Sequence, residues 1–225
     1  MPLTSPDRPP DPVRQLSLFG AEAADPSVAD LAGLLAGPGE VSRMGGTARL
    51  SIVLDAAWRV HVLVAELSRR GVAATWEATA DGRHLVRTSY ASTLAPLALA
   101  WLRDPASSVD PASSVDPASS VESAGEVKRP PAGFHLNGRR LRLWVAAAGA
   151  ADPPGFLLRL GAADEHCREP VGAALAAVGL PAVLLDAQAG GPAYRITGRR
   201  RLARLADLIG DRPPAAPAAD WPAVP

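Results

Sequence analysis

Arginines supply most of the side chains in this sequence that could do chemistry. Arg49 and Ser51 stand between apolar residues in a segment where polar and apolar side chains alternate. Alternate residues of a β-strand point to the same face, so this pattern predicts a polar sheet face opposite the core. Guanidinium groups on such a face could anchor the phosphates of a polyanion. The alternative is that they are ordinary solvated residues of an arginine-rich protein.

The charge distribution agrees with a polyanionic partner. The 225 residues have a net charge of zero. Arginines nevertheless outnumber acidic residues in ranges 27–103 and 133–212, while the rest of the chain is acidic. The sequence therefore predicts a mildly basic folded body with acidic flanking segments.

Other chemical signals are weak. The run Asp164-Glu-His-Cys167 holds metal-capable side chains, but neighbouring residues of a helix point to different sides. There is no phosphate-binding glycine loop and no nucleophile elbow. We therefore expect no catalytic residue, no metal and no cofactor. The single cysteine and the lack of a long apolar run predict a cytoplasmic protein that could associate with the nucleoid and has no membrane partner.

Proline-, serine- and aspartate-rich segments divide the chain. Residues 1–26, 104–132 and 213–225 have the composition of disordered tails and a linker. Residues 104–121 are three copies of the hexapeptide Asp-Pro-Ala-Ser-Ser-Val. The folded units are predicted at 27–103 and 133–212.

The two folded units show the same order of predicted elements. Each reads as α-β-β-α-β-β-α, so we predict an α+β fold of pseudo-two-fold tandem repeats with antiparallel sheets. In the helix predicted at 56–70, Arg59, Arg69 and Arg70 are expected to face outward. The first strand of the second unit is weakest, because the prolines of 150–154 replace a hairpin arm.

Two runs of small residues predict a close contact between helices. The runs are Leu31 to Gly39 and Leu143 to Gly149, and small side chains let two helix backbones approach closely. The alternative is that both merely reflect an alanine-rich composition. The residues predicted to form the seam between the two helices are Leu31, Ala32, Gly33, Ala36, Val145, Ala146, Ala148 and Gly149.

These features resemble the tandem LAGLIDADG homing-endonuclease fold, in the divergent form of WhiA-type regulators. The name-giving motif is similar to Leu31-Ala-Gly-Leu-Leu35 and Gly39, and Arg142 to Gly149 is similar to the second WhiA repeat. Active members of the family place one metal-binding carboxylate at the foot of each seam helix. The matching positions here are Pro38 and Ala148, and Glu40 and Asp152 lie beyond the predicted helix ends. The resemblance therefore implies a degenerate, non-enzymatic member.

The resemblance also implies a site for double-stranded DNA. In this fold the polar faces of the two sheets form a saddle on the duplex, where arginines can anchor phosphates. The predicted DNA-binding residues are Arg49, Ser51, Arg83, Arg87, Arg159, Arg195 and Thr197.

An apolar pentapeptide lies in the N-terminal tail. It resembles the bacterial peptide that binds the DNA polymerase sliding clamp (beta subunit), and it matches that consensus at every position. An extended peptide on a disordered tether can enter a preformed groove. The alternative is that its apolar side chains fold back onto the body. The predicted clamp-binding residues are Gln15, Leu16, Ser17, Leu18 and Phe19.

The sequence thus favours a monomeric, non-catalytic accessory protein of replication or repair that binds DNA and docks on the sliding clamp. One alternative is a divergent endonuclease delivered by the clamp. Another is a WhiA-like transcription regulator in which the pentapeptide is fortuitous.

Overall fold

The computed structural model describes residues 25–103 and 126–222. The predicted clamp-binding residues Gln15 to Phe19 and the three hexapeptide copies lie outside the described residues. The described residues form two halves, each with a four-stranded antiparallel sheet covered on one face by helices. None of the described helices is both long and apolar enough to span a bilayer.

The first half begins with a short 3-10 turn, Val28–Leu31, that leads into helix α1. Its sheet has the strand order β1-β2-β4-β3. The elements in chain order are α1 (Ala32–Ala36), β1 (Glu40–Met44), β2 (Thr47–Leu54), α2 (Ala57–Arg69), β3 (Ala74–Ala78), β4 (His84–Thr88) and α3 (Ala95–Trp101).

The second half repeats this order after a two-stranded ribbon, β5 (Leu102–Arg103) with β6 (Val127–Lys128). Its sheet has the equivalent strand order β7-β8-β10-β9. The elements are α4 (Gly138–Ala148), β7 (Gly149–Asp152), β8 (Gly155–Arg159), α5 (Glu165–Ala177), β9 (Val183–Leu185), β10 (Ala193–Thr197) and α6 (Arg199–Ile209). The predicted α+β fold with repeated halves and antiparallel sheets is confirmed.

One predicted irregularity is wrong. Residues 150–154 were expected to replace a hairpin arm, but β7 pairs with β8 from Gly149↔Leu158 to Asp152↔Gly155. The two prolines, Pro153 and Pro154, follow the last paired residue of β7 and form the turn. They therefore leave the ladder hydrogen bonds intact.

The two halves meet along α1 and α4. A Cβ atom added to Gly33 would lie 2.0 Å from the carbonyl oxygen of Arg140 in α4. One added to Gly37 would lie 2.5 Å from the Trp144 ring. Only glycine lets the two helices approach this closely. The other residues predicted for the seam are buried on these two helices or at their ends, namely Leu31, Ala32, Ala36, Val145, Ala146, Ala148 and Gly149.

Two segments predicted as disordered contribute to the folded body. Val127 and Lys128, in the predicted linker, pair with β5, and Pro130 is buried. In the predicted tail, Ala216 is 1% and Trp221 is 5% exposed, and both belong to the main hydrophobic core. Both predictions were wrong in these parts because composition averages over a segment and misses single anchoring side chains.

The predicted outward orientation of two arginines in and after α2 is also wrong. Arg59 is 3% and Arg70 is 8% exposed, whereas Arg69 points to solvent. Arg70 forms ion pairs with Glu66 and with Asp30, which precedes α1. Helical periodicity identifies which side of a helix is apolar, but not which charged residues find a buried partner in the folded protein.

Candidate nucleic-acid interface

The sheet of the first half has a largely polar face on the side away from its helices. We call this its outer face, and in β2 it carries Arg49 and Ser51, while Leu50 and Ile52 are buried on the opposite side. The strand register places Arg87 of β4 directly opposite Ser51. Three of the predicted DNA-binding residues therefore form one group across two neighbouring strands.

The outer face of the second sheet carries the equivalent group. Arg159 ends β8, while Arg195 and Thr197 alternate with Ile196, which is buried on the core side of β10. This face also has an apolar part, because Leu157 packs with three other residues, Leu185, Ala193 and Ala150. The two outer faces thus share arginine and hydroxyl groups but differ in polarity.

Arg83 lies apart from these groups, in the turn between β3 and β4. It forms a salt bridge of 2.6 Å with Asp81, and this hydrogen-bonded guanidinium holds the pKa of the Asp81 carboxyl well below its usual range. Both side chains are about half exposed. Arg83 therefore extends the charged surface only at the tip of a hairpin.

Most of the outer-face arginines already have an acidic partner. Arg87 lies 2.7 Å from Glu77 and Arg159 lies 3.4 Å from Asp55. Arg195 likewise pairs with Asp152. Exposed ion pairs contribute only about 0–1 kcal/mol, so a phosphate group can replace the carboxylate at little cost. Arg49 differs, because its guanidinium stacks on the ring of Tyr90 at 4.8 Å.

The C-terminal end of each seam helix is held by a buried cation. Arg59, from the first half, donates hydrogen bonds to the carbonyl oxygens of Val145, Ala146 and Gly149 at the end of α4. Helix ends have unpaired carbonyls and a partial negative charge, which a cation stabilises. Arg59 therefore joins its own half to the seam helix of the other.

Lys128 does the same at the end of α1. Its Nζ atom donates to the carbonyl oxygens of Gly37 and Gly39, at 3.0 and 2.7 Å. It also pairs with Asp164, which stands before α5 of the second half. The two seam helices thus have matching caps, although one cation comes from a helix and the other from the ribbon.

Each cap includes an aspartate that was not among the predicted site residues. Asp55 accepts a hydrogen bond from Arg59 at 2.7 Å and precedes α2, as Asp164 precedes α5. The available signal was that both repeats have an aspartate shortly before their second helix. Asp55 also contacts Arg159, so it links the end of α4 to the outer face of the second sheet.

The side chains at these helix ends do not fit the pair of divalent cations that the resemblance implies. Pro38 and Ala148 have no oxygen-donor side chains. Among the described carboxylates near these ends, Asp55, Asp164 and Asp152 are bound to Arg59, Lys128 and Arg195, which leaves only Glu40 at the start of β1. In residues 25–103 and 126–222 no three of the His, Cys, Asp and Glu side chains are grouped to hold a metal. Divalent cations require several free oxygen ligands, which these ends do not offer.

No protein-family model matches the chain, and no curated protein is similar to it in sequence. Solved structures nevertheless align with it. The homing endonuclease I-WcaI bound to its DNA recognition sequence aligns at a TM-score of 0.52 and 10% identity, covering 80% of this chain and 78% of that one. Mesophilic variants of the homing endonuclease I-DmoI align at a TM-score of 0.43 and 14% identity, covering 82% and 95%.

The similarity to I-WcaI contradicts the prediction that the protein is not an enzyme, because the protein of similar fold is an endonuclease. That prediction depended on Pro38 and Ala148 and on the placement of Glu40 and Asp152 beyond the helix ends. It did not consider Asp55 and Asp164, which bind the capping cations Arg59 and Lys128. The two antiparallel sheets on paired seam helices give the chain the fold of a LAGLIDADG homing endonuclease.

Proposed function

We propose that the protein binds double-stranded DNA across the outer faces of its two sheets. The observation that carries this proposal is the grouping of arginine and hydroxyl side chains on equivalent strands of both halves, Arg49, Ser51 and Arg87 on one and Arg159, Arg195 and Thr197 on the other. Arginine and hydroxyl groups are common donors to DNA phosphates. The fold shared with I-WcaI supports this assignment.

The test is the affinity of the full chain for a fluorescent duplex, measured by anisotropy. The double variant Ser51→Glu/Thr197→Glu adds one negative charge to each outer face, and we expect it to weaken binding at least about 10-fold. The control Ser68→Glu/Ala173→Glu adds the same charge on exposed positions of α2 and α5. Equal affinities for the two variants would contradict the proposal.

Hydrolysis of DNA is the second candidate function, and the shared endonuclease fold favours it. The carboxylate best placed to take part is Asp55, which is half exposed, pairs with the Arg59 that caps α4, and lies 3.4 Å from the outer-face Arg159. A phosphate bound by Arg159 would lie beside this carboxylate.

The direct test is nicking of supercoiled plasmid, with and without Mg²⁺. We expect the wild type to nick the plasmid and Asp55→Asn to abolish nicking while retaining duplex affinity. Asp81→Asn, at the hairpin tip, is the control and should nick normally. An inactive wild type, or full activity in Asp55→Asn, would exclude this role for Asp55.

We further propose that Gln15 to Phe19 dock the protein on the bacterial DNA polymerase sliding clamp, in replication or repair. The match to the clamp-binding consensus supports this partner. Leu18 and Phe19 would fill an apolar pocket of the clamp, and the Gln15 amide would form hydrogen bonds at its polar edge. The WhiA-type assignment stays a prediction.

A clamp pull-down with the full chain tests this partner. The variant Gln15→Ala/Leu18→Ala/Phe19→Ala should lose recovery at least about 10-fold, because it removes the anchoring side chains. The control Leu3→Ala/Val13→Ala changes apolar residues of the same tail outside the motif. Equal recovery of the two variants would rule out the clamp peptide.

A further inference from the structure

Helix α6 carries a run of arginines that the two outer faces do not include. Arg199, Arg200 and Arg201 are exposed in its first turn. Arg204 follows one turn later, with 40% of its side chain exposed and Asp207 at 3.6 Å. Among the described residues, no carboxylate lies within ion-pair distance of Arg200 or Arg201, in contrast to Arg87, Arg159 and Arg195.

The first half has no counterpart to this charge. Helix α3 is the element equivalent to α6, since each follows the last strand of its half along the chain. The segment 89–101, which includes α3, has no charged residue, whereas 198–209, which includes α6, has four arginines and one aspartate. The charge at this place therefore departs from the pseudo-two-fold symmetry of the fold.

The arginine run adjoins the outer face of the second sheet. A single residue, Gly198, separates Thr197 of β10 from the first residue of α6. The Nη1 atom of Arg201 donates a hydrogen bond to the carbonyl oxygen of Thr197 at 3.3 Å. A polyanion that lies on Arg195 and Thr197 would reach this run by extending past the end of β10.

We propose that Arg199, Arg200, Arg201 and Arg204 form a flanking patch that binds the phosphates of duplex DNA beyond the second sheet. This inference rests on the proposed DNA-binding function and adds an asymmetry to it, because the second half then contacts more backbone than the first. Arginine suits the role, since its planar group of donors pairs with phosphate oxygens through two hydrogen bonds.

The salt dependence of duplex affinity tests the flanking patch in the full chain. The slope of log affinity against log salt is negative, and each lost phosphate contact reduces its magnitude by about 0.9. Arg200→Gln/Arg201→Gln should therefore reduce the magnitude by about 1.8. The control Arg69→Gln/Arg168→Gln removes the same charge from α2 and α5 and should leave the slope unchanged.

The outcomes separate this inference from the proposed function. Suppose that Arg87→Gln reduces the magnitude of the salt slope but Arg200→Gln/Arg201→Gln does not. This result would overturn the flanking patch and leave the outer-face proposal standing. A wild type that does not bind duplex DNA would overturn both. If this variant instead lost binding only to vesicles of anionic phospholipid, the partner would be a membrane surface and the flanking patch proposal would be wrong.

Discussion

At the residue scale, the closeness of the seam depends on Gly33. A Cβ at this position would lie 2.0 Å from the Arg140 carbonyl oxygen, which is backbone and cannot rotate away. We predict that Gly33→Ala lowers the free energy of unfolding by about 3 kcal/mol or more. Urea denaturation measures this, with Gly46→Ala as the control because nothing lies within 4 Å of a Cβ at that turn position.

Gly46→Ala should change the free energy of unfolding by no more than about 0.5 kcal/mol. If Gly33→Ala were equally neutral, the two seam helices would not approach as closely as described. Loss of stability in both variants would point instead to a general sensitivity of the fold.

Cys167 gives a second prediction at this scale. It is fully buried, and burial raises the pKa of its thiol to about 11. A raised pKa keeps the thiol neutral, so the stability that this neutral group contributes is fully present below its unfolded pKa. It decreases as the pH rises above that value and is fully lost above about 11.

At about pH 8, we expect the folded protein to react with Ellman's reagent at least about 100-fold more slowly than the unfolded protein. The readout is thionitrobenzoate release with and without concentrated guanidinium chloride. Cys167→Ser should release none in either condition. Rapid reaction of one thiol in the folded wild type would show that Cys167 is accessible.

At the scale of elements, each seam helix depends on a cation from outside its own helix. Replacing Arg59 by Met would leave three carbonyl oxygens at the end of α4 without their donor. We predict a loss of about 2–4 kcal/mol in the free energy of unfolding, measured by urea denaturation.

Arg69→Met is the matched control, because this arginine is on the same helix with 63% of its side chain exposed. It should change stability by about 0.5 kcal/mol or less. Similar losses of stability in Arg59→Met and Arg69→Met would mean that the cap on α4 stabilises the protein no more than an exposed arginine does.

The elements themselves were largely predictable from local patterns. Alternation of Ala48, Leu50, Ile52 and Leu54 identified β2, because period-two burial needs only the residues of one strand. The caps could not be predicted this way. Arg59 and Lys128 act on carbonyls far away along the chain, and their charged side chains appear solvent-exposed in any local pattern.

At the scale of the whole molecule, the segment after α6 closes the core. Trp221 is 5% exposed, and the guanidinium of Arg142 lies 5.3 Å from its ring. We predict that Trp221→Ala lowers the free energy of unfolding by about 2–4 kcal/mol, measured by denaturation. A truly disordered tail would give no change.

The control for this loss is Trp76→Ala, since that ring is 52% exposed at the edge strand β3. It should cost about 1 kcal/mol or less. Stability unaffected by Trp221→Ala would show that residues 213–222 do not belong to the folded body.

The repeated architecture was predictable from the sequence because both halves carry the same order of elements. The predicted DNA-binding residues on the strands of each sheet also lie on the same face of that sheet. This was predictable because alternation along a strand decides which face a side chain occupies. The acidic partners of these arginines were not predictable, because each comes from another element. Glu77 lies on the strand next to that of Arg87, Asp152 lies two strands away from Arg195, and Asp55 comes from the other half. Which charges remain available to DNA therefore depends on the assembled molecule.

The measurement that tests the two-sheet interface most directly is the salt slope of duplex affinity in four proteins. These are the wild type, Arg87→Gln on the first sheet, Arg195→Gln on the second, and the combination. We predict that each single change reduces the magnitude of the slope by about 0.9 and that the combination reduces it by about 1.8, over about 50–200 mM salt. A slope near zero in the wild type, or one unchanged by either substitution, would contradict DNA binding across both sheets.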